Sequence, residues 1–204
     1  MVTARAEADG VVVIGGSAGS MGQVEAILTK LPPLLAIPVV FILHRGMDVR
    51  AGAALAHRLG RVGRLEVVEV EDLTYYRPDQ VYLAPPGYHT LIGRSGPTLS
   101  SEPRQSYSIP SIDSAFESAA DAFGSAATVV GLSCANNDGL AGARQVLAAG
   151  GRVLAVDPAL VSQPVLVRAL ATEPGVEFAD PLGLAARVAG ATSGGSAGAS
   201  TAPS

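Results

Sequence analysis

The sequence predicts an α/β fold in which a doubly wound, mostly parallel sheet lies between two layers of helices. Three observations support this prediction. Short runs rich in β-branched residues alternate with helical patterns of about ten residues, as in consecutive βαβ units. Most of the runs are continuously apolar, which is typical of strands buried on both faces. The chain has 204 residues, 48% of them apolar and 16% charged, which is enough to form one substantial core.

Strands are predicted where these apolar runs lie, at residues 11–14, 39–43, 65–70, 81–83, 128–132 and 152–156. Helices are predicted between or after them, at residues 21–31, 49–59, 112–122, 140–149 and 165–171. Gly150 and Gly151 follow the helix predicted at 140–149, as a glycine C-cap would. This alternation favours a Rossmann-like, three-layer domain.

The middle of the chain does not follow this alternation. Residues 74–108 contain Tyr, Pro and two turn-like clusters, PPG at 85–87 and GRSG at 93–96, with little helical periodicity. Such clusters mark turns between short extended segments. We therefore predict a β-hairpin or edge-strand excursion in the middle of the chain.

Composition predicts the ends of the folded domain. Residues 1–10 precede the first strand and are interpreted as an N-terminal extension, and residues 11–190 as one globular domain. Residues 191–204 consist of Gly, Ser, Ala, Thr and Pro without apolar periodicity. A segment of this composition cannot compensate for the entropy lost on ordering, so it is predicted to be a disordered tail.

Charge and cysteine content exclude several classes of function. The formal net charge is −4 and Lys30 is the only lysine, so the chain lacks the basic surface that nucleic-acid binding requires. No apolar stretch suits a signal peptide or a membrane span, which predicts a cytoplasmic protein without membrane insertion. Cys134 is the only cysteine, so no intrachain disulfide can form, and we interpret it as a small buried hydrophobe. No cofactor or metal is expected.

A glycine-rich turn, GGSAG at residues 15–19, follows the first predicted strand and allows two interpretations. In the first it is a dinucleotide cradle, because Gly16, Gly19 and Gly22 lie three residues apart where a helix should begin. That site also needs an acidic residue at the end of the second strand, where the sequence has His44. In the second interpretation the turn is a nucleophile elbow that presents Ser17 on a sharp strand-to-helix bend.

A serine nucleophile needs a base, and the base needs an orienting acid. His44 ends the second strand, and Asp138 follows the strand predicted at 128–132. The carboxyl ends of parallel strands line one crevice at the topological switch point, so Ser17, His44 and Asp138 are predicted to face one cleft. The residues alone leave three functions open: a serine hydrolase, a nucleotide-binding protein and a non-catalytic interaction module.

Five blocks occur along the chain in an informative order: IGGSAG at 14–19, His44, YLAPPGYH at 82–89, PSIDSAFESAA at 110–120 and NDG at 137–139. In this order they resemble the methylesterase domain of the CheB family of bacterial chemotaxis proteins, over about residues 9–190. The resemblance implies that Ser17 is the nucleophile, His44 the base and Asp138 the orienting acid. It also implies hydrolysis of γ-glutamyl methyl esters on chemoreceptors, with deamidation of receptor glutamines as a further activity of some members.

The implied partners are a methylated chemoreceptor-like substrate and, as a further candidate, a separate response regulator or kinase. The receiver domain that usually precedes this domain in the family is not expected, because residues 1–10 are too short to hold it. The alternative function is a catalytically degenerate, CheB-like interaction or regulatory module.

The sequence departs from the family pattern around the implied catalytic residues. Ser20 stands where a glycine usually follows the elbow, and Arg45 replaces the methionine that usually follows the histidine. Asn136 replaces a glycine in the loop that supplies an oxyanion donor in the family, so we expect the geometry of this loop to differ.

Two further expectations concern the substrate and the pH. Arg45, Arg50 and Arg58 follow the implied base and are expected to form a basic rim that attracts an acidic receptor helix. Activity is expected to rise with pH through about 6.5, the ordinary pKa of histidine, because only a neutral imidazole can act as the base.

Overall fold

The structure is a computed structural model that describes residues 7–17, 19–46, 49–103 and 108–193. Within these residues the main sheet has seven strands in the order β3-β4-β2-β1-β7-β8-β9. Their bounds are β1 (Val11–Gly16), β2 (Val39–Leu43), β3 (Glu66–Glu69), β4 (Gln80–Leu83), β7 (Ala127–Gly131), β8 (Arg152–Val156) and β9 (Val176–Ala179). Every neighbouring pair is parallel. The predicted doubly wound, mostly parallel sheet is therefore confirmed.

The strand order places β1 at the centre of the sheet. The chain runs outward from β1 through β2 on one side and later returns beside β1 as β7 on the other side. All residues of β1, β2 and β7 are buried, as their continuous apolar runs predict. The topological switch point, where ligands bind in folds of this kind, lies between β1 and β7.

Six α-helices flank the sheet in the described part of the chain: α1 (Met21–Lys30), α2 (Val49–Gly60), α3 (Ile112–Phe123), α4 (Leu140–Ala148), α5 (Val165–Leu170) and α6 (Pro181–Thr192). Gly15 and Gly16 are adjacent on β1 and so point to opposite faces of the sheet. Gly15 faces Ile112 of α3, and Gly16 faces Ser20 at the start of α1. Since α1 packs against α6 and α3 against α4, the two helix pairs lie in opposite layers.

Two glycines of the turn after β1 have a definite structural role. A Cβ atom on Gly15 would collide with the side chain of Ile112, so α3 can begin above the end of this strand only because residue 15 has no side chain. Gly19 has a φ of +81°, a left-handed conformation that glycine adopts without strain. Gly15 thus lets the first turn of α3 approach the carboxyl edge of the sheet, and Gly19 lets the chain turn into α1.

The predicted excursion in the middle of the chain is a β-hairpin. Strands β5 (His89–Ile92) and β6 (Pro97–Ser100) pair antiparallel in a separate two-stranded sheet. The turn between them is closed by the Gly93 N–H, which donates to the carbonyl of Gly96 (3.3 Å). The hairpin packs on α3, where the N–H of Ile92 donates to the hydroxyl of Ser118 (2.9 Å).

Two elements near the end of the chain are not predicted from the sequence. β9 is an edge strand of half-buried residues, so it lacks the continuous apolar run that marks the central strands. α6 contains two glycines, but its beginning carries a recognisable signal: Asp180 caps the N–H of Gly183 (2.7 Å), and Pro181 is the first helical residue. α6 continues to Thr192, beyond the domain end predicted at residue 190.

The ends of the chain are only partly covered by the structure. Residues 194–204 of the predicted tail, and residues 1–6 of the predicted extension, lie outside the described residues. Among the helices that the structure does describe, none is long and apolar enough to cross a membrane.

Candidate active site

Ser17, His44 and Asp138 follow three adjacent strands at the carboxyl edge of the sheet. Ser17 comes directly after β1 and His44 directly after β2, while Asp138 lies in the loop that connects β7 to α4. The backbone N–H of His44 donates to the carbonyl of Gly16 (2.9 Å), the residue before Ser17. The parallel strands thus bring all three residues to the edge where the sequence places them.

The turn that carries Ser17 is held by hydrogen bonds on both sides of the residue. The Ser17 N–H donates to the carbonyl of Ser133 (2.9 Å), and the Ser17 carbonyl accepts from the hydroxyl of Ser20 (2.7 Å). The N–H of Ser20 also donates to this carbonyl (3.1 Å), so the Ser20 hydroxyl adds a second bond to a turn that a glycine would close through its N–H alone. The Ser17 side chain is part of a half-buried residue, which suits a hydroxyl that must be reached by a substrate.

His44 and Asp138 form a direct side-chain pair. Nε2 of His44 lies 2.8 Å from Oδ2 of Asp138, and the two side chains are 14% and 0% exposed. Among the described residues no hydrogen bond joins the Ser17 hydroxyl to His44. Nucleophile and base are often loosely paired before substrate binds, so Ser17 remains a predicted member of the site, whereas the contact between His44 and Asp138 is present in the structure.

The carboxylate of Asp138 is bound at the beginning of α3. Its Oδ2 accepts from the N–H of Ile112 (2.9 Å), and its Oδ1 accepts from the N–H of Asp113 (2.9 Å) and the hydroxyl of Ser111 (3.0 Å). A helix N-terminus favours negative charge because its N–H groups have no partner within the helix. Burial would raise the pKa of Asp138, but the bonds from His44 and from these N–H groups outweigh it and lower the pKa.

The ionised Asp138 in turn controls the protonation of His44. Burial alone would lower the pKa of His44, but the hydrogen bonds with Asp138 and Cys134 and the charge of Asp138 outweigh it and raise the pKa to about 9. With Asp138 ionised, Nε2 carries the proton that is shared with the carboxylate. Nδ1 is then the ring nitrogen that can accept a proton from a nucleophile.

Cys134 and Asn136 organise the loop before Asp138. Cys134 is fully buried, as predicted, and its Sγ lies 4.0 Å from Nδ1 of His44. Its thiol donates to Oδ1 of Asn136 (3.1 Å), which also accepts the N–H of Asp138 (3.2 Å). The thiol proton is thus directed away from His44. Asn136 does not adopt a positive φ, so this loop accommodates the asparagine by using its side chain as an acceptor rather than by a glycine-like backbone.

Asp113 caps the N-terminus of α4 in the same way as Asp138 caps the N-terminus of α3. Its Oδ1 accepts from the N–H groups of Gly139 and Gly142 (both 2.9 Å) at the start of α4. Each helix is therefore capped by an aspartate next to the beginning of the other. Burial and the nearby charge of Asp138 raise the pKa of Asp113, although the two N–H groups oppose this shift.

Replacing Asp113 with alanine should lower the free energy of unfolding by about 2 kcal/mol, because two buried N–H groups lose their acceptor. Asp113→Asn keeps an acceptor oxygen, so its free energy of unfolding should fall by less. Urea denaturation measures both changes. Asp121→Ala, an exposed position of the same helix, is the matched control and should change stability by less than about 0.5 kcal/mol. An Asp113→Ala variant as stable as wild type would contradict the capping role.

The predicted basic rim is wrong for Arg45. Its side chain is 13% exposed, and its Nη2 lies 2.6 Å from both Oε1 of Glu69 and the carbonyl of Ala84. Arg58 is exposed, but its charge is paired with Glu25 (2.7 Å). The side chain of Arg50 lies outside the described residues.

Two residues of the site are absent from the sequence-based prediction, although both lie in the PSIDSAFESAA block. Ser111 and Asp113 flank the start of α3 and connect it to Asp138 and α4. The available signal was the serine N-cap followed by an acidic first turn. That pattern predicts the start of a helix, but it does not indicate which distant loop the helix contacts.

The site is separate from a large cavity in the described part of the chain. This cavity has a volume of about 920 Å³ and lies along the edge strand β3, between α2 and residues 66–80. Neither Ser17, His44 nor Asp138 lines it. Among the described residues, no group of three or more His, Cys, Asp and Glu side chains is arranged to hold a metal ion.

The fold and the pair of His44 with Asp138 define a hydrolase-like α/β domain. Comparison with known proteins identifies the group: the family model for CheB methylesterase matches residues 12–183, and the chain belongs to this family of carboxylic ester hydrolases. This membership favours the interpretation of GGSAG as a nucleophile elbow over that of a dinucleotide cradle.

Similar proteins agree with this assignment. A protein-glutamate methylesterase/protein-glutamine glutaminase of Myxococcus xanthus is 37% identical over 155 residues, which cover 74% of this chain and 44% of that protein. A relative from Leptospira interrogans is 30% identical over 168 residues, covering 82% of this chain and 86% of the relative. The chain thus spans less than half the length of the first relative and most of the second.

A solved structure shows the same fold. The crystal structure of the Thermotoga maritima CheB methylesterase catalytic domain matches with a TM-score of 0.83 and 25% sequence identity. The match covers 89% of this chain and 97% of that domain.

Proposed function

We propose that this protein is a protein-glutamate methylesterase, a serine hydrolase that removes methyl esters from glutamate side chains of chemoreceptor-type proteins. One observation carries the proposal: a buried Asp138 holds His44 at 2.8 Å, and the backbone of His44 is bonded to the turn that presents Ser17. Family membership supplies the chemical class of the substrate.

In the first step the Ser17 hydroxyl attacks the ester carbonyl of a methylated glutamate. Nδ1 of His44 takes the hydroxyl proton and returns it to the methoxy group, which leaves as methanol. The glutamate side chain is then joined to Ser17 as an ester. Asp138 keeps the proton of His44 on Nε2 and stabilises the imidazolium that forms.

In the second step a water molecule attacks the acyl-enzyme. His44 again accepts a proton, and the carboxylate of glutamate is released as Ser17 regains its hydrogen. The N–H of Ser17 is bonded to Ser133, so the oxyanion needs other donors. We assign this role to the backbone N–H of the exposed Ala135, which donates to no described residue, and to the N–H groups of the first turn of α1.

The same acyl-enzyme can form from a glutamine side chain with loss of ammonia, and the relatives are named as glutaminases as well as methylesterases. We therefore propose receptor glutamines as second substrates.

A methylated chemoreceptor is the proposed partner, with a separate response regulator or kinase as a regulator. We place the protein in the cytoplasm, where a single free thiol such as Cys134 stays reduced, and we propose residues 11–190 as the catalytic unit.

Methanol release from a methylated receptor tests the proposal. The protein is incubated with receptor carrying isotope-labelled methyl groups, and volatile label is measured over time. A rate well above that of receptor alone is expected. A rate equal to the background would overturn the esterase proposal and favour a degenerate interaction module. The degenerate module is the second candidate function because no hydrogen bond joins the side chains of Ser17 and His44 in the described residues.

Activity should rise with pH through about 9 rather than through 6.5, since the pKa of His44 is raised and only its neutral form accepts the serine proton. The dependence of kcat/KM on pH between 6 and 10 measures the midpoint, with the hydroxide-catalysed rate subtracted. Cys134→Ala removes one of the groups that raise this pKa, so its midpoint should lie lower. A wild-type midpoint near 6.5 would show that Asp138 does not hold His44 as the structure indicates.

A further inference from the structure

His89 is a buried histidine that the proposed reaction does not use. It begins β5 and is 1% exposed. Its Nδ1 accepts from the backbone N–H of Ser111 (3.1 Å), and its Nε2 lies 3.2 Å from the carbonyl of Pro103. Because an amide N–H can only donate and a carbonyl can only accept, both bonds require a neutral ring with its proton on Nε2.

Ser111 connects this histidine to the acid of the site. It is the N-cap of α3, and its hydroxyl accepts from the N–H of Ser114 (3.2 Å) while donating to Oδ1 of Asp138 (3.0 Å). A hydroxyl can make both bonds only if its own backbone is held in one position. The bond from the Ser111 N–H to His89 provides that restraint.

The first four N–H groups of an α-helix have no partner within the helix. At the start of α3 the hydroxyl of Ser111 accepts one of these groups, and the carboxylate of Asp138 accepts two. The remaining one, on Ser111 itself, is accepted by His89. Without His89 this buried donor would be unsatisfied, and the first turn of α3 could shift together with the carboxylate bound to it.

We propose that His89 is a positioning residue for the methylesterase reaction. Through Ser111 it fixes the first turn of α3, and this turn fixes the carboxylate of Asp138. Asp138 then holds His44 in the orientation in which it can receive the proton of the nucleophile. The kinetic consequences rest on the proposed function, whereas the effect on His44 itself can be measured without turnover.

Two substitutions separate the bonds that His89 makes. The Oδ1 of asparagine lies close to the position of Nδ1, so His89→Asn keeps an acceptor for Ser111 and loses the donor to Pro103. The Nε2 of glutamine lies close to the position of the histidine Nε2, so His89→Gln keeps the donor and loses the acceptor. The two variants thus differ in the one bond that the proposal requires.

At a pH above the His44 midpoint, where the base is neutral in every variant, His89→Gln should lower kcat about 10- to 100-fold with little change in KM, as when a group that orients a functional side chain is removed. His89→Asn should stay within about threefold of wild type. The titration midpoint of the His44 ring, followed by NMR, should fall from about 9 by roughly 1 pH unit in His89→Gln and stay in place in His89→Asn.

Equal losses in both variants, or a larger loss in His89→Asn, would overturn the proposal. If His89→Gln does not fold, NMR of the wild-type protein tests the same bond: the His89 ring should be neutral with its proton on Nε2, and a proton on Nδ1 would contradict the bond from the Ser111 N–H. If wild type releases no methanol, the proposed function fails, but the NMR titrations still decide whether His89 positions His44.

Discussion

Ser17→Ala should reduce the rate of methanol release by about 10⁴- to 10⁶-fold, the range seen when the nucleophile of a serine hydrolase is removed. Without the hydroxyl no acyl-enzyme can form, and only weak general-base attack by water remains. The effect should be on kcat, because the methyl group that replaces the hydroxyl leaves the binding surface nearly unchanged. The assay is methanol release from labelled receptor under saturating conditions.

The fold should tolerate this substitution. The structure uses the N–H and the carbonyl of Ser17, which alanine retains, in bonds to Ser133 and Ser20. Ser20→Gly is the matched control: it restores the family residue and removes the hydroxyl that adds a second bond to the turn, but leaves the nucleophile in place. Its rate should stay within about tenfold of wild type. If Ser17→Ala and wild type release methanol at the same rate, the chain is not a serine esterase.

Asp138→Asn should lower kcat about 10⁴-fold, because an amide in place of the carboxylate sets the wrong tautomer of the histidine and cannot stabilise the imidazolium. One atom of the new amide also faces donors that the carboxylate accepted, either at Ile112 and His44 or at Ser111 and Asp113. Stability should therefore fall as well, by about 1–3 kcal/mol. Methanol release and urea denaturation measure the two effects separately.

Asp113→Asn is the control for Asp138→Asn. Asp113 is a buried aspartate of the same helix junction, but its bonds go to the start of α4 and not to His44. Asp113→Asn should therefore lower the free energy of unfolding but change kcat by less than about tenfold. A fall of less than tenfold in kcat for Asp138→Asn would show that His44 does not depend on this carboxylate.

The central strands could be predicted because burial on both faces leaves a continuous apolar run, as in β2 and β8. The pattern fails where burial is partial. β9 contains Glu177 and only half-buried residues, so nothing in its composition distinguishes it from a loop. The sequence pattern does not predict α6, because its alanines, glycines and threonine resemble the composition of the following tail. Only Asp180 and Pro181 mark the beginning of this helix.

The approach of His44 to Asp138 could also be predicted, since parallel strands of known order share one edge. Contacts that depend on side-chain direction could not. Arg45 turns inward to Glu69, a partner that no local pattern indicates. Asn136 was expected to disturb its loop, but its amide oxygen accepts two donors that only the folded chain brings together.

The capping of α3 by Asp138 and of α4 by Asp113 has a consequence for how such sequences diverge. The carboxylate of Asp138 accepts hydrogen bonds from the first N–H groups of α3, and it does so whether or not the protein hydrolyses anything. By contrast, no described residue forms a hydrogen bond with the side chain of Ser17. A lineage that abandons catalysis can therefore lose the serine with little loss of stability, whereas losing the aspartate costs about 1–3 kcal/mol. Under the proposed mechanism, the serine would therefore be the better marker of an active enzyme in distant members of this group, and the aspartate alone would not be one.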